Sequence, residues 1–511
     1  MRGVFSGLSR GVPGLRARDM EPAASSFEAP EDVANAASLR YTPDKLFLGV
    51  IGADIERDRA TRERYAQGGT EIGVDDDRHA ITVAGSRAGK GRAAIVPNML
   101  RYAGSVLAID PKGELALATA KARAETLGQR VCVVDPFGTT RGALSQDCYS
   151  AFNPLASTRP ETAYEDAVLI TDALVIPGGL DPHWDESART FIEGVILEVV
   201  SAARFDGRRD LVTVRDLIAQ GETVVTAADI FDKDDPEREK ASPMDVLAAL
   251  MRESAEPAVR RAAADFFDRP ERERDSVLST ARRHLRALSF PEIEASLRGE
   301  SFDLAALKTG KMTVYLCLPG RHMGTCGRWL RLFVNLALQA MEKTKGKPAA
   351  GCPVLFVLDE FATLGHMRQI EDAAGQIAGY GVKLWPILQD LGQLKSLYKD
   401  RWETFMGNAG VLQFFGNSDL TTLEWVSKRL GSTTIEQLSS STVTPGASRS
   451  GATGESYAPR TTAILEPDEI ALVFGRADAH LRQLIIRAGF APMILQRAYY
   501  DKHTAFAGLR P

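Results

Sequence analysis

The sequence predicts an α/β fold, in which a parallel central sheet is interrupted by an inserted all-α domain. Three observations lead there. Short apolar runs, each followed by a polar turn, recur at Ala80–Ala84, Ser105–Ile109, Val131–Val134, Met312–Leu318, Val354–Leu358, Val382–Leu388, Val411–Phe415 and Leu484–Arg487. Runs without polar alternation, separated by helical patterns, are the signature of strands covered on both faces. Between the third and fourth runs the texture changes: Tyr164–Val175, Ser187–Ala203, Pro243–Met251 and Ser276–Leu288 have helical spacing and little strand signal. The third observation is a loop of small residues placed between an early strand and a helix, at 84–91.

In chain order, residues 1–40 are rich in Ala, Ser, Pro, Glu and Arg without apolar periodicity and read as a disordered tail. Residues 41–155 form the first part of a nucleotide-binding domain, 156–300 the all-α insertion, 301–495 the second part of the same domain, and 496–511 a C-terminal tail. The charged stretch Phe231–Lys240 reads as a solvated loop or helix face. Ser, Thr and Gly dominate 430–462, which reads as a long flexible loop.

Composition sets limits on what the chain does. Its 511 residues are 44% hydrophobic and 25% charged, ordinary for a globular protein with a large core. A formal charge of -5, from 62 Lys and Arg against 67 Asp and Glu, excludes a protein that coats DNA by uniform positive charge. Any polyanion contact must be local. The five cysteines (Cys132, Cys148, Cys317, Cys326, Cys352) include no CxxC pair, so neither a zinc knuckle nor a disulfide framework is indicated, and a reducing compartment fits. Apolar runs such as Leu46–Ala53 fall short of the roughly 18 residues a membrane-spanning helix needs. Arg2, Arg10, Arg16 and Arg18 are not followed by the apolar stretch of a signal peptide. The expected location is cytoplasmic or peripheral at the cytoplasmic face of the inner membrane, with membrane contact only through a partner.

Two motifs carry the chemistry. In His79-Ala-Ile-Thr-Val-Ala-Gly-Ser-Arg-Ala-Gly-Lys-Gly-Arg a strand, a small-residue loop and a helix follow one another. That order suits phosphate binding, because successive backbone N–H groups and the positive end of a helix face one anion while a lysine reaches the outer phosphates. The nucleotide-binding candidates are Gly85, Ser86, Arg87, Ala88, Gly89, Lys90, Gly91 and Arg92, with Lys90 in the lysine position. Against the strict GxxxxGK[ST] pattern, Ala84 replaces the first glycine and Gly91 stands where a Mg²⁺-binding hydroxyl belongs. Alone, such a loop is equally a simple strand–helix turn. The second motif, Val354-Leu-Phe-Val-Leu-Asp-Glu, is an apolar strand ending in two carboxylates. Asp359 can hold Mg²⁺ and Glu360 can orient and deprotonate an attacking water. Its bland reading is a helix start stabilised by acidic residues. The pair gains weight from the upstream phosphate loop and from Leu384-Trp-Pro-Ile-Leu-Gln-Asp, which follow the order of a RecA-like P-loop NTPase core and put Gln389 where it can sense the γ-phosphate or position water.

Seven segments in order, Ala84-Gly-Ser-Arg-Ala-Gly-Lys-Gly, Asp110-Pro-Lys-Gly-Glu, Val134-Asp-Pro-Phe-Gly, Phe152-Asn-Pro-Leu, Asp359-Glu-Phe-Ala-Thr-Leu-Gly, Gly379-Tyr-Gly-Val-Lys and Ile387-Leu-Gln-Asp-Leu-Gly-Gln-Leu, resemble the type IV secretion coupling proteins, the TraG/TraD-like conjugative ATPases. The resemblance runs from about Tyr41 to about Ala491. It implies ATP and Mg²⁺ as cofactors, a homo-hexamer when active, and delivery of DNA, as a relaxase-bound single strand or a duplex, to a type IV secretion channel. The sequence departs from the family in one respect: members commonly begin with transmembrane helices, whereas this chain reads as a soluble form lacking that region, so membrane anchoring is expected to come from a partner. Asp181-Pro-His-Trp is the local signature of the insertion. Where relatives carry a trans-acting arginine this chain reads Gly375-Gln-Ile-Ala-Gly-Tyr, leaving Arg368 and Arg460 as candidates beside the alternative that both are solvated surface residues. Trp184 reads as a packing anchor, and His183 and His284 as ordinary histidines. Two other functions remain: an ATPase acting on protein substrates in a mobile-element or defence system, and a non-hydrolysing nucleotide-binding scaffold.

Overall fold

The computed structural model describes residues 25–176, 178, 182–226, 241–299, 302–442 and 453–510. They fall into two compact units, one built from the chain up to Asn98 together with Ile387–Gly508, the other from Met99–Pro386 with the last residues. In chain order the strands are β1 (Leu46–Ile51), β2 (Asp54–Arg57), β3 (Arg64–Gln67), β4 (Thr70–Val74), β5 (His79–Ala84), β6 (Val106–Ile109), β7 (Arg130–Val134) and β8 (Met312–Leu316). They continue as β9 (Val354–Leu358), β10 (Val382–Leu388), β11 (Ala409–Phe415), β12 (Ser432–Thr442), β13 (Thr453–Ala463), β14 (Arg482–Arg487) and β15 (Met493–Gln496).

In the first unit β4, β1, β15, β14, β11 and β5 lie side by side. β5 pairs parallel with β11 and, on its other edge, with Ile387 and Leu388 at the end of β10. Every residue of β5 is buried, as its unbroken apolar run requires. The rest of this sheet is antiparallel, including Leu484–Arg487, whose expected parallel direction is corrected here: β14 runs against β11 and forms a hairpin with β15. The strand direction was illegible because burial of both faces erases the alternation that marks an antiparallel strand. β1 is wholly buried for the same reason. At a bulge in β1 the side chain of Asn98 replaces a neighbouring strand, accepting from the Phe47 N–H (2.7 Å) and donating to the Phe47 carbonyl (2.8 Å).

Both expected tails are folded where they are described. Pro30–Asn35 is a helix, Val33 and Leu39 are buried, and Arg40 bridges to Ile72; residues 1–24 lie outside the described residues. In the C-terminal stretch Arg497, Tyr499 and Phe506 are buried and Lys502 pairs with Asp58. Single apolar anchors without a period, as here, leave no amphipathic signal. The expected loop 430–462 instead contains a two-stranded ribbon, β12 against β13, in register from Ser432–Ala463 to Thr442–Thr453. Its threonines are β-branched and suit a strand, although the Ser and Gly around them lower the apolar content that marks one.

In the second unit all strands are parallel, in the order β10 (through Val382–Pro386), β9, β6, β8, β7. Arg123, fully buried, ties this sheet together by donating to the carbonyls of Met99 (2.7 Å), Tyr102 (3.2 Å) and Gly104 (2.6 Å) and to the Thr313 hydroxyl. The insertion is helical as expected, with helices at Ala163–Leu174, Pro182–Ser201, Leu211–Gln220, Pro243–Arg252, Pro257–Phe267, Glu271–Leu285 and Pro291–Arg298. Its starts follow ordinary capping chemistry: Asp210 accepts from the Thr213 N–H (2.7 Å), and Ser242 and Asp245 form a capping box. Phe231–Lys240 and Asp181 lie outside the described residues. Trp184 is half-buried near the start of its helix with the His183 ring 5.2 Å away, and His284 is a core residue bonded to Asp185 (2.8 Å).

Candidate functional site

In the first unit the chain leaves β5 at Ala84 and enters the small-residue loop, then a helix that opens as a π-turn over Gly91–Ile95 and continues as Val96–Arg101. Gly85 donates its N–H to the Phe415 carbonyl (3.2 Å), and its own carbonyl accepts from Ala88 (3.1 Å). A Cβ at position 85 would stand 1.9 Å from the Gly416 carbonyl oxygen, so the backbone just past the end of β11 presses directly on the loop and only glycine fits. Arg87 (φ +57°) and Gly89 (φ +88°) are both in the left-handed region, which turns the chain into the helix; the Gly89 carbonyl then accepts from Ala93 (2.9 Å). The first-turn N–H groups of a helix have no intrahelical acceptor, a geometry that suits an anion. Lys90, at its first position, is half-buried.

Arg497 supports the loop from below. It is fully buried and donates to the carbonyls of Ala88 (3.0 Å), Leu481 (3.3 Å) and Gly475 (3.5 Å). Burial holds its pKa below the usual arginine value. Sequence reasoning missed it, because nothing local marks a residue whose partner lies at the other end of the chain. Gly91 confirms the missing hydroxyl: a Cβ there would meet nothing within 4 Å, so there is room for a side chain and none is supplied. Arg92 is engaged elsewhere, bidentate to Asp501 (2.9 and 2.6 Å), paired with Glu63 and stacked on the Tyr499 ring at 4.4 Å. Burial disfavours its charge, but the two carboxylates more than offset this and its pKa is raised.

Gln389 emerges at the end of β10, beside β5. Its N–H donates to Gln393 Oε1 (3.0 Å) and its carbonyl accepts from Asn417 Nδ2 (3.2 Å). Asn417 follows the Gly416 that packs on the loop, so strand ends on both sides of β5 are linked by a hydrogen bond. The sequence offered no signal for Asn417.

In the second unit Asp110 and Asp359 leave the ends of neighbouring strands, since Ile109 and Leu358 are partners in the β6–β9 pairing. Asp110 is 1% exposed and accepts from the Ala116 N–H (2.8 Å). Burial, reinforced by the charge of Asp359, raises its pKa to about 6. Asp359 accepts from the Glu360 N–H (2.9 Å). A buried carboxylate whose proton affinity is raised in part by a neighbouring carboxylate suits a cation that would relieve the repulsion. Among the described residues no group of three or more His, Cys, Asp or Glu forms a complete metal cage. Mg²⁺ does not need one, as it takes one or two carboxylates plus substrate phosphates and waters. Glu360 sits at φ +51°, ψ +42°, a left-handed conformation that is strained for a non-glycine residue. The turn after it is held by Arg331, buried in the helix Gly320–Lys343, which donates to the Leu364 (2.8 Å) and His366 (2.7 Å) carbonyls. The structure thus gathers 85–91 with Gln389 in one unit and Asp110 with Asp359 and Glu360 in the other. Arg368 begins the helix Arg368–Gln376 and is exposed; Arg460 lies on β13 opposite Ile435.

The family model for Type IV secretory system Conjugative DNA transfer matches residues 36–508. The chain belongs to this family. Among relatives, the conjugal transfer protein TraG of Escherichia coli is 29% identical over 454 residues, covering 84% of this chain and 68% of that protein. Protein VirD4 of Rhizobium radiobacter is 25% identical over 445 residues, covering 85% of this chain and 59% of the relative, so this family member spans about three fifths of VirD4's length. Among solved structures, the bacterial conjugative coupling protein TrwBdeltaN70 aligns over 93% of this chain and 95% of its own, with a TM-score of 0.61 at 12% identity. TrwB in complex with ADP and Mg²⁺ aligns over 90% and 96%, with a TM-score of 0.58 at 14% identity. At these identities the likeness establishes the fold: the chain has the coupling-protein architecture, a large mostly parallel sheet with a helical insert. No described helix is long and apolar enough to cross a membrane.

Proposed function

We propose that this chain is an ATP-hydrolysing motor of conjugative DNA transfer, working at the cytoplasmic face of the inner membrane as a homo-hexamer that passes DNA, as a relaxase-bound strand or a duplex, to a type IV secretion channel. The observation that carries the reading is the phosphate loop, a turn compressed against the backbone just past β11 so tightly that Gly85 admits no side chain and ending in Lys90 at a helix start. The family and the TrwB fold, solved with ADP and Mg²⁺, support it.

In this reading Lys90 and the backbone N–H groups of 85–91 hold the outer phosphates of ATP. Asp359 would hold Mg²⁺, whose charge would offset that of the phosphates, while Gly91 offers the ion no hydroxyl. Glu360 accepts the proton of the attacking water and Gln389 senses the terminal phosphate. Arg368 or Arg460 reaches a neighbouring subunit's nucleotide. Phosphate release from the purified chain, with and without DNA, tests the proposal. Hydrolysis that DNA stimulates and Lys90→Ala abolishes supports it. Hydrolysis indifferent to DNA points to a protein substrate, and nucleotide binding without turnover to a recruitment scaffold.

A further inference from the structure

Beside the phosphate loop, within the first unit, lies a pocket of about 420 Å³ whose lining is dominated by arginine: Arg57, Arg62, Arg64, Arg87, Arg92 and Arg476. The two lining carboxylates are already engaged, Glu63 by Arg92 and Asp478 by Arg482 (2.8 Å). Among the described residues the other five arginines have no side-chain hydrogen bond or ion pair. In a chain of net charge -5 this is a concentrated positive site.

Two features of the lining are unfavourable in themselves. Arg57 and Arg64 are direct cross-strand partners in the β2–β3 hairpin, so two like charges face each other on one side of a two-stranded ribbon. Such a pairing destabilises a sheet unless an anion lies between. Arg62 in the turn (φ +61°) and Arg87 in the phosphate loop (φ +57°) are both non-glycine residues in left-handed conformations, and both line the pocket. Strain of this kind persists where the surroundings impose it, commonly at ligand clamps.

The chemistry of the ligand follows from the donors. Guanidinium forks match phosphate oxygens bidentately. In the proposed nucleotide site Lys90, Arg87 and the loop N–H groups take the phosphates of one bound nucleotide, so the four arginines outside the loop, Arg57, Arg62, Arg64 and Arg476, call for a second phosphate source. Tyr499 is the one aromatic ring in the lining, and Arg92 already covers a face of it, so arginine rather than aromatic surface dominates what the pocket offers. We propose that this pocket binds the phosphodiester backbone of a DNA strand, separately from the nucleotide, with Arg87 belonging to both the pocket and the phosphate loop. DNA occupancy is thereby felt by the loop. This rests on the reading that the chain acts on DNA.

The test compares the whole chain with its R57A/R64A variant, using a labelled single-stranded oligonucleotide over a range of salt and a fluorescent ATP analogue. Each phosphate left without its arginine lowers the slope of log affinity against log salt by about 1, so the double variant drops by about 2 in slope and roughly 10- to 100-fold in affinity at low salt. ATP-analogue affinity stays unchanged, and the ligand-free melting temperature holds or rises because the like-charge pair is gone. R57K/R64K retains most of the slope. Arg476→Ala, in a separate loop, lowers it by about 1 and serves if the hairpin variant fails to fold. A wild type that binds DNA and a double variant that keeps its slope and affinity overturn the pocket while leaving the DNA-motor reading in place. Loss of ATP-analogue affinity with DNA binding intact also overturns it, assigning the pocket to the nucleotide. A wild type without salt-dependent DNA binding removes both.

Discussion

Replacing Arg497 with Met measures how far the phosphate loop depends on a residue remote in sequence. Met keeps most of the volume of the buried side chain and removes every donor. The Ala88 and Leu481 carbonyls, at 3.0 and 3.3 Å, lose charge-assisted bonds, while the third, at 3.5 Å, is marginal. An orphaned buried acceptor costs about 1–3 kcal/mol. Against this, a guanidinium with no direct carboxylate partner carries a desolvation penalty that the substitution removes. The two effects leave a net loss of about 2–3 kcal/mol, which for a unit of this size lowers the melting temperature by roughly 5–10 °C. Because one carbonyl belongs to Ala88 of the loop, ATP-analogue affinity falls as well. Arg497→Lys, with a single amino group that cannot span three carbonyls, lies between. Thermal melting with an ATP-analogue titration decides the matter: a Met variant that melts and binds nucleotide as the wild type does would show that the loop holds its shape without this support.

Glu360→Gln should bind ATP and hydrolyse it very slowly, since an amide fills the same space but cannot take the proton; unchanged phosphate release would move the base elsewhere. Glu360→Gly should also lose hydrolysis yet melt no lower than the wild type, because glycine relieves a left-handed backbone that costs about 1–3 kcal/mol; a clear drop in melting temperature would refute the strain. Asp110, with its pKa raised to about 6, holds its proton more tightly when folded than unfolded. Stability attributable to it is therefore present at low pH and is lost as pH rises from about 4 to about 6, by up to about 3 kcal/mol. Asp110→Asn should abolish that slope in metal-free denaturation curves and be the more stable protein at pH 7; parallel curves for the two proteins would refute the assignment. If the hydrolytic site is completed by a neighbouring subunit, phosphate release per subunit should fall on dilution and recover with DNA as a template. Activity flat over a wide dilution of a sedimenting monomer would rule out the shared site.

The sequence by itself determined the strand–loop–helix around Gly85–Gly91, the acidic strand end and the helical insertion. Each is written locally: a fully buried strand needs an unbroken apolar run, a helix a 3.6-residue period, and a phosphate turn small residues before a lysine. Seven such motifs in order were enough for the family. The tertiary structure alone decided the antiparallel half of the sheet, the packing of both expected tails and the β12–β13 ribbon, because strand direction and isolated anchors have no period to read. It also decided what surrounds the loop. Gly416 presses on Gly85, Arg497 holds the Ala88 carbonyl, and Arg92 clamps Asp501 rather than standing free beside Lys90. Asp110 gains its shifted pKa from burial and from a neighbour on another strand, and the arginines of β2, β3 and two distant loops become one pocket only when the chain is folded. Covalent neighbours set local conformation, whereas field, burial and strain depend on groups brought together across hundreds of residues.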